Sequence, residues 1–153
     1  MTRSTILFLT DGNGAYLSEK KRGFGKGYLN GYGGKVAEGE SVEEAAVREL
    51  KEEADVAADP QKLQKVAIID FYEEGGHLWE CHVFFASAWE GELRETEEMT
   101  APRLYAFSEL PYDRMWKSDQ AWLPLVFSGK RIHAQVHCPK GLDDVEKFEC
   151  EPL

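Results

Sequence analysis

Glu49, Glu52 and Glu53 stand at i, i+3 and i+4 of a segment whose apolar residues recur with the period of a helix. Val42, Ala45, Ala46, Leu50 and Ala54 define its buried stripe. The three glutamates overlap one edge of that stripe, with Glu44, Arg48 and Lys51 roughly opposite. A solvated acidic face belongs where Glu44 and Lys51 are. Like charges at i, i+4 destabilise a helix by a few tenths of a kcal/mol per pair. Placed beside a core, each carboxylate is also harder to ionise unless cations neutralise it. Such a cluster points to divalent metal, with a phosphorylated substrate as the partner that arrives with it.

The elements around the cluster are partly readable. Ser41 caps the helix and Glu44, three residues on, completes a capping box. Ahead of it, residues 23–34 form a loop carrying Gly23, Gly25, Gly27, Gly31, Gly33 and Gly34, where backbone can approach a ligand closely. Neither GFGKG nor GYGGK has the lysine-serine/threonine ending of a phosphate-binding P-loop. Lys20, Lys21 and Arg22 make a basic cluster before the loop, with Lys20 a candidate phosphate contact. Residues 4–10 and 15–20 read as strands about an Asp-Gly-Asn-Gly turn, and 66–72 and 77–88 as strands joined by Glu-Glu-Gly-Gly. A short strand at 104–107, a helix at 119–127 limited or kinked by Pro124, and strands at 131–138 and 145–150 complete the chain. Strands with two intervening helices suggest an α/β sandwich around a mixed sheet.

At 153 residues the chain fits one domain, 1–153, with a substantial core. A net charge of −10 argues against nucleic-acid polymers and anionic membranes as partners. It also means that an anionic small-molecule substrate would be repelled unless metal and local cations received it. No apolar run is long enough to span a bilayer, and the N-terminus lacks a signal-peptide pattern. Cys81, Cys138 and Cys150 have neither disulfide-framework nor metal-ligand spacing, so reduced thiols and a cytoplasmic location are expected; separately, the chain is expected to act as a monomer. His133, His137 and Cys138 fall in a strand-like run, RIHAQVHC, where a zinc site is not expected.

GKVAEGESVEEAAVRELKEEADV, residues 34–56, resembles the Nudix box, G-x5-E-x7-R-E-U-x-E-E-x-G-U with U aliphatic. Gly34, Glu40, Arg48, Glu49, Leu50, Glu52, Glu53 and Val56 match in register. Asp55 replaces the usual glycine, which ends the helix in a left-handed conformation that aspartate tolerates better than most residues. KKRGFGKGYLNGYGGKV (20–36) and EEMTAPRLYAFSELPYDRMWKSDQAWLPLVF (97–127) are similar to the animal-type branch of MutT-related Nudix hydrolases.

That resemblance implies a Nudix-type α/β/α sandwich around a mixed sheet, and a hydrolase that clears oxidised purine nucleoside triphosphates such as 8-oxo-dGTP from the nucleotide pool, limiting DNA damage. It implies Mg²⁺, with Mn²⁺ as a substitute, held by Glu49, Glu52, Glu53, Glu98 and a backbone carbonyl near Gly33. Water attacks the α–β linkage, Glu52 or Glu53 takes its proton, and Arg48 orients a glutamate. On the substrate side it implies Thr5 at the pocket floor, Phe24 lining it, Asn30 on the purine edge, Trp116 stacking on the base and Asp119 reading its polar edge. Lys20, Gly34 and Lys35 join them. The family's oxidised-purine enzymes carry adjacent aspartates at the positions of Ser118 and Asp119. Serine cannot carry charge, so 8-oxo-guanine recognition is expected to survive while breadth across oxidised adenines changes. ADP-ribose, dinucleoside polyphosphates and nucleotide sugars are alternative substrates. A non-catalytic nucleotide-binding module is expected to have lost box glutamates, and this chain keeps them all.

Overall fold

The computed structural model describes all 153 residues, Met1 to Leu153. The chain forms β1 (Arg3–Leu9), β2 (Gly14–Glu19), β3 (Leu29–Asn30), α1 (Val42–Ala54), β4 (Gln64–Glu73), β5 (Gly76–Ala86), β6 (Arg103–Ala106), α2 (Asp119–Phe127), β7 (Ile132–Cys138) and β8 (Lys147–Pro152). The main sheet is mixed, in the order β1-β5-β4-β7-β8, and a second sheet has the order β3-β2-β6. β1 pairs with β5, and β4 with β7, in parallel; the β4–β5 and β7–β8 pairs are antiparallel.

Side-chain alternation along β1 explains the layering. Leu7 and Leu9 face α1, joining a core with Leu50, Phe84 and Val56, while Phe8 faces the other way, into a core with Trp122, Leu123 and Val126 of α2. One helix therefore covers each face, giving the expected α/β/α sandwich. No helix is long and apolar enough to cross a membrane.

Helix α1 starts and stops where its sequence says. Ser41 Oγ accepts the Glu44 N–H at 3.0 Å and Glu44 Oε1 accepts the Ser41 N–H at 3.2 Å, closing the capping box. Asp55 ends the helix left-handed at φ 58°, its carboxylate paired with Lys51 and Arg94. Pro124 sits inside α2 without ending it.

Three expectations need correction. Residues 23–34 are not all loop: Leu29–Asn30 pair with β2, extending a second sheet that a two-residue strand between glycines is too short to announce. The last strand lies two residues later than expected, at Lys147–Pro152. On α1, Glu53 lies within the buried stripe rather than at its edge, being 4% exposed, and Arg48 is half-buried rather than turned to solvent.

Candidate active site

Close backbone packing builds the floor of the site. The segment after β3 runs against β1, with the Thr5 N–H donating to the Gly34 carbonyl at 2.9 Å and the Leu7 and Tyr32 backbones bonding each other. The strands approach so tightly that a Cβ at Gly33 would stand 1.8 Å from the Thr5 carbonyl oxygen. At Gly34 a Cβ would stand 2.5 Å from Glu49 Oε1. Glycine is required at Gly33, where the obstacle is backbone, whereas at Gly34 a side chain would have to displace the Glu49 carboxylate. The same approach carries α1 carboxylates onto the loop: Glu53 Oε1 accepts the Gly33 N–H at 2.9 Å.

The buried Glu53 carboxylate has a second partner, Lys20 Nζ at 2.9 Å from Oε2. Burial pushes its pKa up, and Lys20 and the Gly33 N–H pull it back. Around it, other acids are likewise held by cations. Arg48 reaches Glu40 at 2.7 Å, Glu49 at 3.0 Å and Glu52 at 3.4 Å, and donates to the Lys35 carbonyl. Its guanidinium and the Ala37 N–H hold Glu40 down to about 2. Glu98 pairs with Arg22 at 2.5 Å, which lowers its pKa, while Glu97 points to solvent. Thr96 ties the Glu98 loop to the end of α1 by donating to the Glu53 carbonyl.

No three histidine, cysteine or acidic side chains stand together in metal-holding geometry. Lys20, Arg22 and Arg48 pair with Glu53, Glu98 and Glu49, and Glu52 is more than half exposed. The donor chemistry nonetheless fits a hard divalent ion. All candidate ligands are oxygens, Glu49 and Glu53 both abut the Gly33–Gly34 backbone, and the Gly33 carbonyl accepts no hydrogen bond. A buried carboxylate such as Glu53 calls for a cation, which Lys20 now supplies.

From Glu53 a cleft of about 230 Å³ runs between the two sheets. It gathers Thr5, Lys20, Phe24, Asn30, Gly33, Gly34, Lys35, Glu53, Trp116, Ser118 and Asp119, whereas Arg48, Glu49, Glu52 and Glu98 lie outside its lining. Trp116 stacks on Tyr28 at 4.3 Å between ring centres and on Phe24 at 5.2 Å, and Phe24 meets Trp79 edge-on. Phe24 is 67% exposed, so it forms the rim of this aromatic side. Asn30 spends its Oδ1 on the Gly31 N–H.

The cleft floor is polar and unsatisfied. Thr5 Oγ1 and Asp119 Oδ2 are buried without a hydrogen-bond partner, a rare condition in a folded protein. Burial raises the Asp119 pKa to about 7. Ser118 is buried beside it at the start of α2. Sequence reasoning missed Tyr28, Phe71, Trp79 and Leu142, which also line the cleft. Tyr28 had a signal, an aromatic ring in a glycine-rich loop; the others lie in a strand or beyond β7 and had none.

The sequence pattern of the NUDIX domain matches residues 1–126. The chain is 40% identical over 129 residues to an oxidized purine nucleoside triphosphate hydrolase from Danio rerio, covering 84% of this chain and 81% of the relative. It is 38% identical, with the same coverage, to a protein of the same description from Mus musculus. Among solved structures, a MutT protein from Bacillus halodurans superposes over 100% of this chain and 99% of its own with a TM-score of 0.81 at 22% identity, a likeness of fold.

Proposed function

The chain belongs to the Nudix family, and on that basis we propose that it hydrolyses oxidised purine nucleoside triphosphates of the 8-oxo-dGTP type to monophosphate and pyrophosphate, sanitising the nucleotide pool. One arrangement carries the reading. A single cleft has a carboxylate end at Glu53 and an aromatic end whose buried Thr5 Oγ1 and Asp119 Oδ2 lack protein partners. A purine with polar edges supplies those partners and brings a polyphosphate to the carboxylates. Two relatives of this chain bear the same activity in their descriptions.

Glu49, Glu52, Glu53, Glu98 and the Gly33 carbonyl would hold Mg²⁺, or Mn²⁺ in its place, which when bound neutralises phosphate charge and acidifies an attacking water. Lys20 leaves Glu53 and pairs with a phosphate, while Lys35 and the Gly34 backbone line its path. Arg48 acts as a positioning residue, fixing Glu49 against Glu40 and the Lys35 carbonyl. Glu52 or Glu53 accepts the proton of the water as it adds to phosphorus of the α–β linkage, and the bond to the departing pyrophosphate breaks. At the other end Trp116 stacks on the base within the Phe24–Tyr28 stack, Asn30 offers its amide N–H, and Asp119, with Ser118, reads the polar edge. A monomer is the proposed working form.

Product analysis tests this. With Mg²⁺, 8-oxo-dGTP should yield its monophosphate and pyrophosphate, and chelation should abolish the reaction. Preferential cleavage of ADP-ribose, with 8-oxo-dGTP untouched, would move the substrate to other nucleoside diphosphate derivatives.

A further inference from the structure

Two residues that line the cleft, Cys138 and Leu142, lie outside the stretch matched by the NUDIX pattern. Between β7 and β8 the chain turns at Pro139, with the Leu142 N–H donating to the Pro139 carbonyl, and Leu142 enters the cleft lining beside Cys138, Phe71 and Trp79. Leu142 does so in a left-handed backbone, φ 63°, directly after Gly141 at φ 93°. Leucine rarely adopts that conformation, and it persists only where its surroundings over-determine it. Here they do. The Gly141 N–H donates to Glu73 Oε2 at 2.8 Å, the Glu74 N–H to the Cys138 carbonyl at 3.0 Å, and the Glu146 N–H to the His137 carbonyl at 2.8 Å. The first two pin the turn to the end of β4, the third joins the two arms of the turn, and the half-buried Leu142 side chain packs against the α2-side core. The polar residues around it, Lys140, Asp143 and Asp144, stay on the surface, so the turn presents one apolar group inward.

We propose that the β7–β8 turn is the end wall of the base cleft and that Leu142 sets the size of base the cleft accepts. A purine with small substituents fits against Leu142, and one carrying a bulky exocyclic group is turned away. The wall offers no hydrogen-bonding side chain, so it selects by shape, whereas Asp119 and Thr5 select by polarity. The inference rests on the purine triphosphate reading above.

The test measures kcat/KM for 8-oxo-dGTP, O6-benzyl-dGTP and N6-benzyl-dATP in the wild type, Leu142→Ala and Leu142→Gly, with melting temperatures alongside. The ratio of at least one benzylated substrate to 8-oxo-dGTP should rise about tenfold in both variants, through KM rather than kcat, the scale at which an apolar pocket discriminates by size. Leu142→Gly, freed of the left-handed penalty, should melt no lower than Leu142→Ala. An unchanged ratio in both folded variants overturns the wall. If the wild type leaves 8-oxo-dGTP intact, the proposed function falls, and the wall is judged by binding. Quenching of tryptophan fluorescence by N6-benzyl-dATP and dATP should then show the same shift in Kd ratio, and no shift overturns it.

Discussion

Glu53 is the residue on which the proposed metal site depends most, because its carboxyl group is buried and bonded at both oxygens. Glu53→Gln preserves its shape and its bond from the Gly33 N–H but removes the charge. We expect kcat to fall by about 10²–10⁴-fold with the melting temperature held or raised; a near-normal rate would refute the metal-site assignment. Asp119 gives a pH signature. Its folded pKa of about 7 lies above the ordinary carboxylate value of 3.8, so the native state holds a proton that the unfolded chain has released. Its contribution to stability is therefore intact below about pH 4, declines as pH rises to about 7, and is constant above. Asp119→Asn removes this decline, so the variant should gain denaturant resistance over wild type at pH 8 but little at pH 4; equal differences at both would contradict the buried acid. Ser118→Asp places a second carboxyl beside it, able to share a proton. The kcat/KM ratio of 2-oxo-dATP to 8-oxo-dGTP should change, and an identical ratio would show that Ser118 does not govern breadth.

Element by element, the site depends on α1 entering at the right angle and on β1 lying against the Gly33–Gly34 backbone. Ser41→Ala opens the capping box and should lower stability by about 1 kcal/mol in a denaturant titration. Gly33→Ala should be far worse, because its methyl group would overlap the Thr5 carbonyl, separating β1 from the segment that carries both carboxylate contacts. Soluble, fully active Gly33→Ala protein would contradict the close approach. The helix was legible because its signals are local: Ser41, Glu44 and the apolar stripe lie within one short segment, and Asp55 takes the left-handed end that its box position requires. The second sheet was not, since β2 pairs with β6 from far along the chain, and the two-residue β3 has almost no periodicity of its own. For the same reason Arg48 looked solvent-facing on a helical wheel. Its partners Glu40 and the Lys35 carbonyl come from the preceding loop, which a wheel does not contain.

At the scale of the whole molecule, the main sheet separates two cores, and the cleft opens between that sheet and the smaller one. The carboxylate end was written in one continuous motif. The base end is assembled from β1, β3, β4, β5, the start of α2 and the β7–β8 turn, and only the parts resembling the family could be anticipated. Phe71 and Trp79 become cleft residues because β4 and β5 are neighbours in the sheet, and Leu142 because the turn after β7 folds back beside them. A net charge of −10 repels an anionic substrate unless local cations receive it, and Lys20 and Lys35 line the cleft. The most direct measurement of the account is kcat/KM for 8-oxo-dGTP against dGTP, with Mg²⁺, in the wild-type protein. A preference of about tenfold or more for the oxidised base is predicted if the unpartnered buried atoms of Thr5 and Asp119 read a purine edge as proposed. Equal rates for the two, or no hydrolysis of 8-oxo-dGTP by folded protein, would contradict it.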